Sequence, residues 1–182
     1  AFLEDVAKAH QQGRRLYIGT TNLDAKELMV WNMGAIAISS NPDALDLFRR
    51  VMLASASIPG VFPPVLFDVQ FEGQSFDELH VDGGVTSNVF GFGVIPKIEY
   101  EKGKLHRDPD APYSTAYIIR NGKMKPPAKL VEMSMFSILA SSTESLTSYL
   151  NQGDFNRLFL ESRLSNMDFN YIAVPDDYVS EP

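Results

Sequence analysis

The 182-residue chain carries 16 Lys and Arg against 23 Asp and Glu, a formal net charge of -7, with 45% hydrophobic and 21% charged residues. That balance suits one ordinary globular domain and, with no long basic segment, argues against nucleic acid as a partner. The absence of cysteine excludes a disulfide framework, thiolate-held zinc, an iron–sulfur cluster and a cysteine nucleophile.

The sequence opens at Ala1-Phe2-Leu3-Glu4, without Met and inside what reads as a helix, so the expectation is a piece of a longer protein. Phe2, Leu3, Val6 and Ala9 recur at helical steps up to Gly13, a natural C-terminal stop. Leu16 to Leu23 and Glu27 to Met33 are β-prone runs whose spacing across Asp24-Ala25-Lys26 predicts a hairpin, with Trp31 as a packing anchor. Asn41-Pro42-Asp43 supplies an N-cap, a first-turn proline and a carboxylate. The helix it predicts, apolar through Leu45, Leu47, Phe48, Val51, Met52 and Ala56, ends near Ser57, before Pro59-Gly60.

Val65 to Phe71 alternates as a half-buried strand does, with Val65, Phe67, Val69 and Phe71 on one side. A turn at Glu72-Gly73-Gln74 predicts a second strand, Ser75 to Val81, running into Asp82-Gly83-Gly84. Lys97 to Pro112 reads as a solvated loop, Thr115 to Arg120 as a strand ending before Asn121-Gly122, and Asp168 to Val174 as a last strand. Leu130 to Leu164 carries two helical patterns split near Gly153. No segment approaches the roughly 18 consecutive apolar residues of a transmembrane helix, and no basic stretch precedes an apolar one at the N-terminus, so lipid contact would be peripheral. Mixed strands and helices without repeats or long linkers point to a layered α/β or α+β domain.

Asp82, at a strand end before two glycines, can project its carboxylate into a crevice, the place where open α/β sheets bind ligands. From the tripeptide alone, the plainer reading is that Asp82 bonds turn amides while Gly83 and Gly84 satisfy positive φ. The neighbourhood adds to this. Ala54-Ser55-Ala56-Ser57-Ile58-Pro59-Gly60-Val61-Phe62-Pro63-Pro64, then a hairpin, then Val81-Asp82-Gly83-Gly84, resembles the second half of patatin-like phospholipases. Leu16 to Leu23, with Val30-Trp31-Asn32-Met33-Gly34, looks like the strand pair before that helix in bacterial members, and the resemblance runs over roughly Leu16 to Asn88.

What the resemblance implies is the C-terminal half of an α/β catalytic domain, residues 1–182 forming one partial domain. It would be part of a three-layer α/β/α sheet with a β-hairpin leading to the Asp-Gly-Gly turn. The parent would be a lipid acyl hydrolase with a Ser–Asp dyad and no cofactor. Asp82 would be the dyad aspartate, with Gly83 and Gly84 shaping its turn and Ile58 to Pro64 fixing the backbone path. Its partners would be a lipid or acyl ester, a membrane surface and the missing N-terminal half of the domain. Compartment stays open, with the bacterial envelope or secretion as the family's suggestion. Against the pattern, the 182 residues contain no G-x-S-x-G and no run of three glycines for an oxyanion loop. Gly73-Gln74-Ser75-Phe76-Asp77 ends in Asp and lies in a hairpin turn, so Ser75 is rejected as nucleophile. The fragment alone is therefore expected to be inactive, and a non-catalytic binding or scaffold module is the alternative.

Other residues receive plainer readings. His10, His80 and His106 are far apart, and His80 with Asp82 lacks the further ligands a metal needs. Arg120, Lys123, Lys125 and Lys129 form a basic cluster that reads as a solvated loop or a contact to anionic headgroups. Phe90 and Phe92 lie among glycines and suit packing or an acyl pocket, and Ser141 to Ser145 reads as a polar helix face.

Overall fold

The computed structural model describes residues 2–91, 115–124, 128–164 and 167–178, in two compact units, Ala1–Asn88 and Val89–Pro182. The mixed α/β class expected from the sequence is what forms, and the hairpin does lead into the Asp-Gly-Gly turn.

In the first unit, helix α1 (Phe2–Gln11) is followed by Gly13 at φ +95° and by strands β1 (Tyr17–Asn22) and β2 (Glu27–Asn32). Asn22 shapes the connection, its Oδ1 accepting from the amides of Asp24 and Ala25 at 2.9 and 3.0 Å. A short helix, α2 (Met33–Ile38), comes next and has no counterpart in the sequence reading. Its residues Met33-Gly34-Ala35-Ile36-Ala37-Ile38 offer no polar face from which a period could be read.

Helix α3 (Ala44–Ser55) starts at Asp43 and not at the expected cap, because the Asn41 Oδ1 accepts from Asp43 N at 2.9 Å and closes its own turn first. Strands β3 (Val65–Phe71) and β4 (Gln74–Asp82) follow, and the sheet order is β2-β1-β4-β3, antiparallel throughout. Glu72 and Gly73 both have positive φ, +49° and +79°, as the two central positions of a type I′ hairpin require. Phe48, Val51 and Ala54 on α3 bury against Phe67 and Met33, and Ile18, Trp31, Val65 and Val69 close the same core. The core thus lies between α3 and one face of the sheet.

Asp68 and Asp77 oppose each other across β3 and β4. Their hydrogen bond, then their mutual repulsion, holds the Asp77 carboxyl above its ordinary 3.8. The folded hairpin therefore takes up a proton at a higher pH than the unfolded chain does, so this pair favours folding on acidification and opposes it as pH rises through the raised value. Asp77→Asn is expected to melt slightly higher than the parent at neutral pH, with the difference vanishing in acid. A pair of melting curves that stayed parallel across a pH series would contradict it.

In the second unit, β5 (Thr115–Lys123) and β6 (Asp168–Val174) pair in parallel, joined through a 30-residue helix, α4 (Met135–Leu164). Phe155 and Phe159 of α4 meet Phe169 and Tyr171 of β6 edge to face at 5.0–5.4 Å. Two expectations need correction. Gly153 does not split the helix, since one interior glycine costs only about 1 kcal/mol against alanine. Strand β5 does not stop before Asn121-Gly122 but runs through them, with its register broken between Arg120 and Lys123. Lys97 to Pro112, Phe92, His106 and Lys125 lie outside the described residues. Among the described residues no helix is long and apolar enough to cross a membrane.

Candidate active site

Asp82 is the last residue of β4 and stands opposite Thr20 of β1. Strand β3 begins at Val65, opposite His80, so it offers Asp82 no ladder partner. The Asp82 amide instead donates to the Ser57 carbonyl at 3.0 Å, just beyond the end of α3. Its carbonyl accepts from the buried Thr21 Oγ1 at 2.9 Å, and Thr21 Oγ1 lies 2.8 Å from the hydroxyl of Thr86. Both backbone ends of the aspartate are therefore fixed by groups far away in sequence.

A single 3₁₀ turn, Gly83–Val85, follows. The Gly84 amide donates to Asp82 Oδ1 at 2.7 Å, a short charge-assisted bond that sets the plane of the carboxylate. Among the described residues no donor reaches Oδ2, and the side chain is half-buried. Asn88 Nδ2 donates to the Gly84 carbonyl at 3.0 Å and tightens the loop from the other side.

The reason for two glycines differs from the one the sequence suggests. Neither has positive φ; among the described residues the positive-φ glycines are Gly13, Gly60 and Gly73. A Cβ on Gly83 would sit 2.6 Å from the carbonyl oxygen of Gly19, and one on Gly84 would sit 2.8 Å from Asn88 Oδ1 and 3.1 Å from Asp82 Oδ1. Close backbone approach to β1, not turn conformation, demands Gly83.

His80 lies on the same face of β4 as Asp82 and is 0% exposed. Its Nδ1 is 2.8 Å from Thr20 Oγ1, its Nε2 is 3.3 Å from Glu78 Oε2, and Trp31 Nε1 donates to the same threonine oxygen at 2.8 Å. With the proton on Nε2, the chain Trp31 to Thr20 to His80 to Glu78 satisfies every donor in one direction. The ring is packed against Phe67 and Trp31, with centroids 4.8 and 5.8 Å away. Both nitrogens of His80 are thus engaged within the sheet, a structural role. His10 sits on α1 over Gly34, remote in sequence from this cluster. Among the described residues no three His, Cys, Asp or Glu side chains group to hold a metal.

Sequence reasoning singled out Asp82, Gly83, Gly84 and His80 but missed Gly19, Thr20, Thr21, Ser57 and Thr86 as the groups that hold them. The Thr20-Thr21-Asn22 run carried a signal, since three consecutive polar residues in a central strand invite a search for buried partners.

Residues 5–90 match the family model of patatin-like phospholipases. The matched segment contains the whole antiparallel sheet and the Asp82 turn, and it encloses the Leu16 to Asn88 stretch on which the resemblance rests. It supports a lipid acyl hydrolase family for this part of the chain, which is the first half of the sequence. A search of the curated proteins finds no match.

Proposed function

We propose that the patatin-like segment is the aspartate-bearing part of a lipid acyl hydrolase working through a Ser–Asp dyad. Asp82 is its base, Gly83 and Gly84 shape its turn, and residues 1–182 belong to one catalytic domain whose serine and oxyanion loop lie outside this sequence. The observation that carries the reading is the asymmetric carboxylate: Oδ1 is held by the Gly84 amide while Oδ2 is open to a donor. A serine hydroxyl becomes a useful nucleophile when a base within hydrogen-bond reach takes its proton. Oδ2 would accept that proton as the serine oxygen attacks the acyl carbon, then return it to the departing alcohol. The same oxygen would next deprotonate the water that releases the acyl group. Substrates of this kind are lipid or acyl esters met at a membrane surface.

The missing G-x-S-x-G favours a second reading, a patatin-fold binding or scaffold module. Hydrolysis of a short-chain chromogenic ester separates the two, measured for the 182-residue chain and for the full-length polypeptide of its gene. Turnover in the longer polypeptide alone is the expected result. Turnover in neither favours the scaffold, and turnover by the 182 residues themselves would overturn the assignment of the serine to another segment.

A further inference from the structure

Nothing in the reading of Asp82 uses the basic cluster of the second unit. There, the register break in β5 falls between Arg120 and Lys123. Irregularities of this kind re-aim side chains. Here it ties the two cations together, Arg120 Nε donating to the Lys123 carbonyl at 3.0 Å, and both line one cavity of about 410 Å³. That volume lies in the range of small-ligand sites, roughly 300–1,000 Å³.

The rest of the lining comes from α4: Thr143, Glu144, Thr147, Ser148 and Asn151. Their spacing places them on one helix face. Thr147, Ser148 and Asn151 are half-buried, whereas Leu146 and Tyr149 of the same turns are 67% and 77% exposed. A helix that turns its hydroxyls inward and its apolar groups outward reverses the usual order. Among the described residues the side chains of Thr147, Ser148 and Asn151 make no hydrogen bond, and neither do the terminal nitrogens of Arg120. Lys123 Nζ spends one donor on the Asp176 carbonyl at 2.8 Å and keeps two. Half-buried polar groups left in this state favour a polar occupant.

We propose that this cavity binds a phosphate ester that carries an amine. A guanidinium fork, an ammonium, the two unspent hydroxyls of Thr147 and Ser148 and the Asn151 amide supply more donors than a carboxylate can use, and they suit the several acceptor oxygens of a phosphate. The Thr143 hydroxyl is already given to the Leu139 carbonyl at 2.9 Å. Glu144 would repel a simple anion, yet it is the natural partner of a cationic amine on the same ligand. The group can be presented by a soluble aminophosphate or by a zwitterionic lipid headgroup. The proposal does not rest on the Asp82 reading, since binding is measurable without turnover.

The test is calorimetric titration of the 182-residue chain with phosphoethanolamine and with inorganic phosphate, alongside flotation with phosphatidylethanolamine vesicles. Saturable one-to-one binding of phosphoethanolamine, tighter than that of inorganic phosphate, identifies a soluble source. Flotation without soluble binding identifies the headgroup. In either case Arg120→Gln should weaken binding at least about ten-fold. Glu144→Gln should remove the preference for phosphoethanolamine while leaving inorganic phosphate bound as well or better. Melting curves control for folding, and Thr147→Val, which keeps shape and loses the hydroxyl, supplies a second variant expected to weaken binding. No binding in any arm, or binding indifferent to Arg120→Gln and Thr147→Val in folded protein, would overturn the proposal.

Discussion

Asp82→Asn, made in the full-length polypeptide of the gene, is expected on the proposed reading to lower ester turnover by about 10²–10⁴-fold, the usual weight of a general base, with the melting temperature close to the parent's. The substitution separates chemistry from structure. Asparagine has the size of aspartate, and its Oδ1 can still accept from the Gly84 amide as the Asp82 Oδ1 does at 2.7 Å. What it lacks is a second oxygen able to take a proton. The loss should therefore fall on kcat, with KM little changed, the pattern of an interaction made only in the transition state. Asp82→Ala is the companion: it removes both the base and the acceptor for Gly84, so it should lose turnover equally and melt lower. Kinetics and melting curves on the three proteins decide the matter. Retained turnover in Asp82→Asn would mean that another group is the base.

The parts of this site that could be read from the sequence are those set by local chemistry. Val65, Phe67 and Val69 alternate because one face of β3 is buried under α3, and Glu72-Gly73 turns the chain because its two residues adopt positive φ. The Asp-Gly-Gly turn was visible from its residue types, although neither glycine adopts the positive φ those types suggest. The unreadable parts depend on contacts across long sequence separations. His80 bonds Thr20, 60 residues earlier, and the Asp82 amide finds the Ser57 carbonyl, both consequences of a strand register that no local pattern encodes. The same cause hid the need for Gly83, whose missing Cβ matters only once β1 lies against it. In the second unit Asn121-Gly122 carries a turn signal yet sits within β5, because pairing with β6 on either side absorbs it as an irregularity.

Gly83→Ala is expected to destabilise the first unit by about 1–3 kcal/mol or more, the usual cost of forcing extra atoms into a packed interior. The added methyl would meet the Gly19 carbonyl oxygen at 2.6 Å and its carbonyl carbon at 2.8 Å. Both are backbone atoms of β1, which pairs with β2 along its whole length and with β4 at Thr20, Thr21 and Asn22, so neither can yield alone. Relief requires β1 to move from the turn, and that movement would strain the Thr21 hydrogen bond to the Asp82 carbonyl. Gly84→Ala provides the contrast. Its nearest obstacle is the Asn88 side-chain oxygen at 2.8 Å, a side-chain atom and not backbone, which can yield at the cost of the Asn88 bond to the Gly84 carbonyl, and the next is Asp82 Oδ1 at 3.1 Å. This second variant should lose less stability than the first and instead displace the carboxylate, so that turnover falls further than the melting temperature suggests. Denaturant midpoints at constant m-value measure the first effect, and kcat measured well below the melting transition isolates the second. A Gly83→Ala protein as stable as the parent would mean that the turn does not pack on β1 at Gly19, and with that the account of how Asp82 is held would fail.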